Sequence, residues 1–143
     1  MLRWTGTQVM TRMPSEQPTL RDLVVDEEQL NEELLADVLS EYVRIGEDSG
    51  ALYQRSPFGD LNSYRKTAVV LLAQHAKAVL GMSETEWLSP SEIADVSGMK
   101  KGTVYPAVRK LEERGLAEGD GGSYRIPAPM IKDASNFIEE GSD

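Results

Sequence analysis

Between Lys100 and Arg125 eight side chains could hold an anion: Lys100, Lys101, Thr103, Tyr105, Arg109, Lys110, Ser123 and Arg125. An ammonium group is a point donor, a hydroxyl donates one bond, and a guanidinium presents two parallel N–H groups that fit a phosphate or the O6 and N7 of guanine. Other chemistries are poorly supplied. There are no cysteines, which removes disulfides, thiolate zinc sites and cysteine nucleophiles, and a single histidine gives no material for a histidine metal cluster or a Ser-His-Asp triad. No cofactor or metal motif is present, and the glycines near Gly121 lack the strand-to-helix context of a phosphate loop. An enzyme is not expected.

The elements that must position these donors are legible. Ser89 is placed to cap a helix, with Pro90 at its first position and Glu92 closing a capping box. Ile93, Ala94 and Val96 make it apolar on one side, and Gly98 permits the sharp exit. A second helix is predicted from about Lys101 to Arg114, with Val104, Val108 and Leu111 on one face and Gly115 past its end. Ala94, Gly98 and Val104 supply a small residue at the helix crossing, a turn glycine and a buried wedge, the spacing of a helix-turn-helix. Strands are predicted at Leu116–Glu118 and Tyr124–Ile126 around a tip at residues 119–123, so a hairpin wing follows. Trp87-Leu88 is expected to form a short strand beside that wing.

Over roughly residues 64 to 126 the chain resembles winged-helix regulators of the MarR and PadR type, and the run from Gly102 to Leu116, GTVYPAVRKLEERGL, is similar to the PadR recognition helix. The resemblance implies a mainly α fold with a small β-hairpin wing (α+β), a winged helix-turn-helix with added N-terminal and C-terminal helices. It implies a sequence-specific regulator of transcription that binds double-stranded DNA, with the second helix in the major groove and the wing on the backbone or in the minor groove. In that arrangement Arg109 reads a base. Lys100, Lys101, Thr103, Tyr105 and Lys110 contact phosphates, Ser123 and Arg125 act at the wing, and Asp120 at the tip is unfavourable.

A net charge of −9 is unusual for such a partner, but it is unevenly spread. Residues 26–48 hold nine acidic residues against Arg44 alone, whereas residues 98–125 hold six basic residues against four acidic ones, so the acid lies away from the basic stretch. Nine arginines against six lysines, with 24 acidic residues, resemble the halophilic composition of salt-loving archaea; an ordinary acidic bacterial protein is the alternative. With no apolar run of transmembrane length and no signal-peptide pattern, a cytoplasmic protein without a membrane partner is expected.

Along the chain, residues 1–19 read as a disordered leader, in which Trp4 is incidental and Met10 and Met13 are alternative starts. Residues 20–61 read as an N-terminal helix from Asp26 to Ile45 ended by Gly46, then a long connection pinned by Leu52, Tyr53 and Phe58. Leu30, Leu34, Val38 and Tyr42 of that helix are expected to make a homodimer contact, with packing inside the chain as the alternative. Residues 62–127 form the winged domain, whose central helix Ser63–Leu80 is apolar nearly all round and places His75 on its polar stripe as a surface or satisfied histidine. Residues 128–143 form a last helix from Met130 to Glu140, with Ile131, Ala134, Phe137 and Ile138 inward, and a fraying tail. A protein-interaction module in a replication, transcription or mobile-element assembly is the alternative function, docking through the acidic helix. No effector, operator or direction of regulation is specified.

Overall fold

A helix that is apolar on every side has to sit at the centre of its fold, because no face of it can be left in water at low cost. The computed structural model, which describes residues 17–140, bears this out for α3 (Ser63–Val79): all nine residues from Thr67 to His75 are buried. Its N-cap is Asn62, whose side-chain oxygen accepts from the Arg65 N–H at 2.9 Å. Three of its neighbours are α1 (Glu27–Tyr42), α4 (Pro90–Ser97) and α5 (Lys101–Glu113), and the fourth is α6 (Ile131–Glu140). One continuous apolar core joins these five helices. The residues before 17 and after 140, with the expected leader positions Trp4, Met10 and Met13 and the expected fraying tail, lie outside the described residues.

Asp26 caps α1, accepting from the Gln29 N–H. The helix stops at Tyr42, three residues short of the expected end, and Val43–Ile45 instead form β1, paired antiparallel with β2 (Leu52–Gln54). β-branched Val43 and Ile45 suit a strand once a partner is present, and Gly50, at φ 72°, closes the turn. Arg44 and Arg55 then cover the end of α1: Arg55 Nη1 donates to the Ser40 and Glu41 carbonyls at 2.9 and 3.2 Å, and Arg44 Nη1 donates to Ser40 and Val43. The expected featureless connection is thus a hairpin followed by the short α2 (Ser56–Gly59), and of its aromatics Phe58 is buried while Tyr53 is exposed.

α6 follows a 3-10 turn at Ala128–Met130 and packs on α1 and α3, with Ile131, Ala134, Phe137 and Ile138 all buried. This packing corrects the subunit-contact reading for two residues. Val38 and Tyr42 are buried in the chain's own core, whereas Leu30 is 42% exposed and Leu34 half-buried. Burial pushes the Tyr42 phenol above the usual tyrosine value, Glu41 and Glu139 push it further, and Arg65 opposes them. The unfolded chain therefore ionises first, so this contribution to stability is complete below about pH 10 and is lost as pH rises through the higher folded value. Between about pH 8 and 11 the melting temperature of Tyr42→Phe is expected to fall less steeply than that of the wild type.

The motif itself forms as its caps dictate. Ser89 accepts from Glu92 N–H at 3.2 Å while the Glu92 carboxylate accepts from Ser89 N–H at 2.8 Å, and Gly98 ends α4 at φ 80°. After α5, Gly115 is left-handed at φ 78° and Leu116 folds back, its N–H reaching the Leu111 carbonyl. The wing is β3 (Glu118–Asp120) and β4 (Ser123–Arg125), joined by Gly121 and Gly122 alone. Both glycines have positive φ, the geometry of a two-residue hairpin turn, so the strands reach closer to the tip than expected. Leu88 pairs with Tyr124 through two backbone hydrogen bonds, so the short strand expected at Trp87-Leu88 is reduced to a single bridge beside the wing.

Candidate nucleic-acid interface

α5 separates its faces cleanly. Val104, Ala107, Val108 and Leu111 are fully buried against α3 and α4, so the helical period turns Gly102, Pro106 and Arg109 to the middle of the outer face. Lys101 and Tyr105 flank them on one side, and Thr103 and Lys110 on the other. These seven residues are exposed, Tyr105 at 48%, and so are Glu112 and Glu113 in the last turn, Glu113 lying four residues beyond Arg109 on the same face. A Cβ on Gly102 would meet nothing within 4 Å, and Pro106 carries no long side chain, so the helix surface around Arg109 is low and approachable. The helix runs unbroken through Pro106 but starts tightly: the Lys100 carbonyl accepts from both Thr103 and Val104 N–H groups, at 2.9 and 3.1 Å.

The cations of this region fall into two sets. Lys100, Lys101 and Arg109 have no ion pair or ring contact with any described residue. The others are engaged. Lys110 Nζ lies 5.5 Å from the Tyr64 ring centroid, and Arg114 stacks 4.7 Å from Phe137, whose other contact is Arg65 at 4.6 Å.

Arg125 is the main correction at the wing. Its Nε donates to Glu118 Oε2 at 2.6 Å, its Nη1 lies 3.5 Å from Glu86 Oε1, and its guanidinium covers the Trp87 ring at 4.6 Å. Two carboxylates and a ring hold this cation within the chain, where it clamps the wing to the segment before α4. Glu86 Oε1 also lies 3.3 Å from His75 Nδ1, which is 3.1 Å from the Ile126 carbonyl. His75 is therefore buried and satisfied rather than on a polar stripe. Since both neighbours of Nδ1 accept, that nitrogen carries the proton. Ser123 is half-buried in β4 beside Asp120, so the exposed tip offers the backbone of Gly121 and Gly122. A side chain at Gly119 would approach the Tyr124 ring to 2.8 Å, which fixes glycine there.

Sequence reasoning missed this clamp, and it missed Gln54, whose side-chain amide donates to the Ser97 carbonyl at 2.9 Å and ties the first hairpin to the end of α4. Neither has a local signal, because each joins residues remote in the chain.

A capped helix, a left-handed turn, a second helix whose exposed outer face carries Lys101 and Arg109, and a hairpin wing define a helix-turn-helix DNA-binding domain. Residues 71–121 match the IclR helix-turn-helix domain, from the second half of α3 to the wing tip. The resemblance to PadR and MarR regulators is thereby narrowed to the shared winged helix, since the matched type is IclR. No curated protein and no solved structure matches the chain.

Proposed function

We propose that the protein is a dimeric, sequence-specific regulator of transcription that lays α5 in the major groove of DNA. The observation that carries this reading is the start and outer face of α5, where Lys100, Lys101 and Arg109 stand exposed and form no ion pair with any described residue, on a chain of net charge −9. Cations left uncommitted beside so much acid await an external anion. Arg109, at the centre of the face, reads a base as a two-pronged donor to guanine. Lys100 and Lys101 engage phosphates, helped by the first-turn N–H groups of α5, which no side chain caps. Thr103 and Tyr105 add hydroxyl contacts and the glycine tip rests on the backbone; Lys110 and Ser123 have secondary roles, and Arg125 holds the wing in shape.

Arg109→Ala and Lys101→Ala separate these roles. On a site selected from random duplexes, Arg109→Ala is expected to reduce the preference for that site by about 1–3 kcal/mol. Lys101→Ala should weaken selected and random duplexes alike and make the dependence on salt shallower by about one phosphate. Indistinguishable behaviour of the two variants would refute the assignment.

A further inference from the structure

The described residues include two apolar surfaces without partners. The first is the segment leading into α1. A 3-10 turn at Leu20–Leu23 is fixed by a reciprocal capping box between Thr19 and Asp22, yet Leu20, Leu23, Val24 and Val25 are 84%, 71%, 77% and 56% exposed. Four large apolar side chains held in an ordered turn and left in water mark a contact surface. The second is a groove of about 570 Å³ between α1, β1 and the end of α3. Its floor is Leu35, Leu39 and Val43, which belong to the chain's own core, and its open apolar surface is Val79 and Leu80, 46% and 65% exposed, beside half-buried Ala76.

We infer that the segment Thr19–Val25 of one chain docks in this groove of a second copy, so that two chains exchange their N-terminal arms. The charges match the shapes. The arm carries Arg21 and Asp22 between its leucines, and Glu32 and Arg44 are among the groove's lining residues, Arg44 Nη1 donating to the Ser40 and Val43 carbonyls. A chain does not fill its own groove: Val24 and Asp26 are both extended, Asp26 caps the first turn of α1, and Leu20, Leu23, Val24 and Val25 stand exposed instead of lining the groove. Exchange between copies is reciprocal, as two-fold symmetry demands, and buries both surfaces at once. Since each chain carries −9, repulsion opposes the pairing, and salt that screens it tightens the dimer. This rests on the dimeric reading above and extends it to the surface and segment involved.

The test uses the full chain without DNA, so failure to bind duplex leaves its result untouched. Sedimentation should give a dimer whose dissociation constant falls with rising salt. Leu23→Asp, on the exposed arm, and Ala36→Arg, which fills the groove from an exposed position, should each weaken association at least about tenfold while the circular dichroism spectrum of the folded chain stays unchanged. The chain has no cysteine, so mixing Leu20→Cys protein with Ala36→Cys protein should give a disulfide-linked heterodimer. A monomer at every concentration and salt, a dimer that neither charged variant weakens, cross-linking only within one chain in the double-cysteine variant, or a co-purifying small molecule filling the groove of a monomer would overturn the inference.

Discussion

Leu111→Ala is expected to cost the fold about 2–5 kcal/mol, a large share of the roughly 5–15 kcal/mol that holds a domain of this size together. Leu111 is fully buried where α5 meets α3, and the chain after the helix depends on the same residue, because its carbonyl accepts from both Leu116 and Ala117. Truncating the side chain leaves a cavity under α5 that the surrounding helices cannot close without moving their caps. Denaturant unfolding should show a lower midpoint with an unchanged slope. Glu113→Ala, two residues on and exposed, should stay within about 0.5 kcal/mol of the wild type. Equal midpoints for the two variants would show that α5 does not pack by this face.

The second large effect is the response of DNA binding to salt. Each phosphate neutralised contributes a slope of about −0.9 in log affinity against log salt, and the cations of the α5 face with the wing can engage about three to five phosphates per chain. A dimer doubles that number, so from about 50 to 200 mM salt its affinity should then fall roughly a thousandfold to a hundred-thousandfold. The nine acidic residues of 26–48 repel DNA at long range, and salt screens that repulsion, so the slope should be shallower than that of a basic protein with equal contacts. Circular dichroism at each point checks that the helices persist; their loss at low salt is the result expected of a halophilic chain, whose acidic surface repels itself. Folded protein that binds no duplex at any salt would end the regulator reading in favour of a protein-interaction module that docks through the acidic side of α1.

What the amino-acid order determined by itself is whatever is settled within about one helical turn. Ser89 and Glu92 close on each other across three residues, Gly98 and Gly115 take the left-handed backbone that other residues resist, and Val104, Val108 and Leu111 share a face whatever lies opposite. The helix-turn-helix was legible for that reason, as was the concentration of donors on its second helix. Tertiary structure decided the matters in which a residue chooses between distant partners. Val43 and Ile45 continue the helical apolar pattern of α1, yet they join a strand because Leu52–Gln54 stands ready to pair with them. Val38 and Tyr42 could serve an outer face or an inner one, and α6, arriving from the far end of the chain, made them core. The same holds for the cations: charge and spacing could not distinguish Arg109 from Arg125, but folding brings Glu86, Glu118 and Trp87 around Arg125, while among the described residues no carboxylate or ring pairs with Arg109. Coulomb attraction acts between groups that the fold has placed near each other, and no local pattern in the chain specifies that nearness.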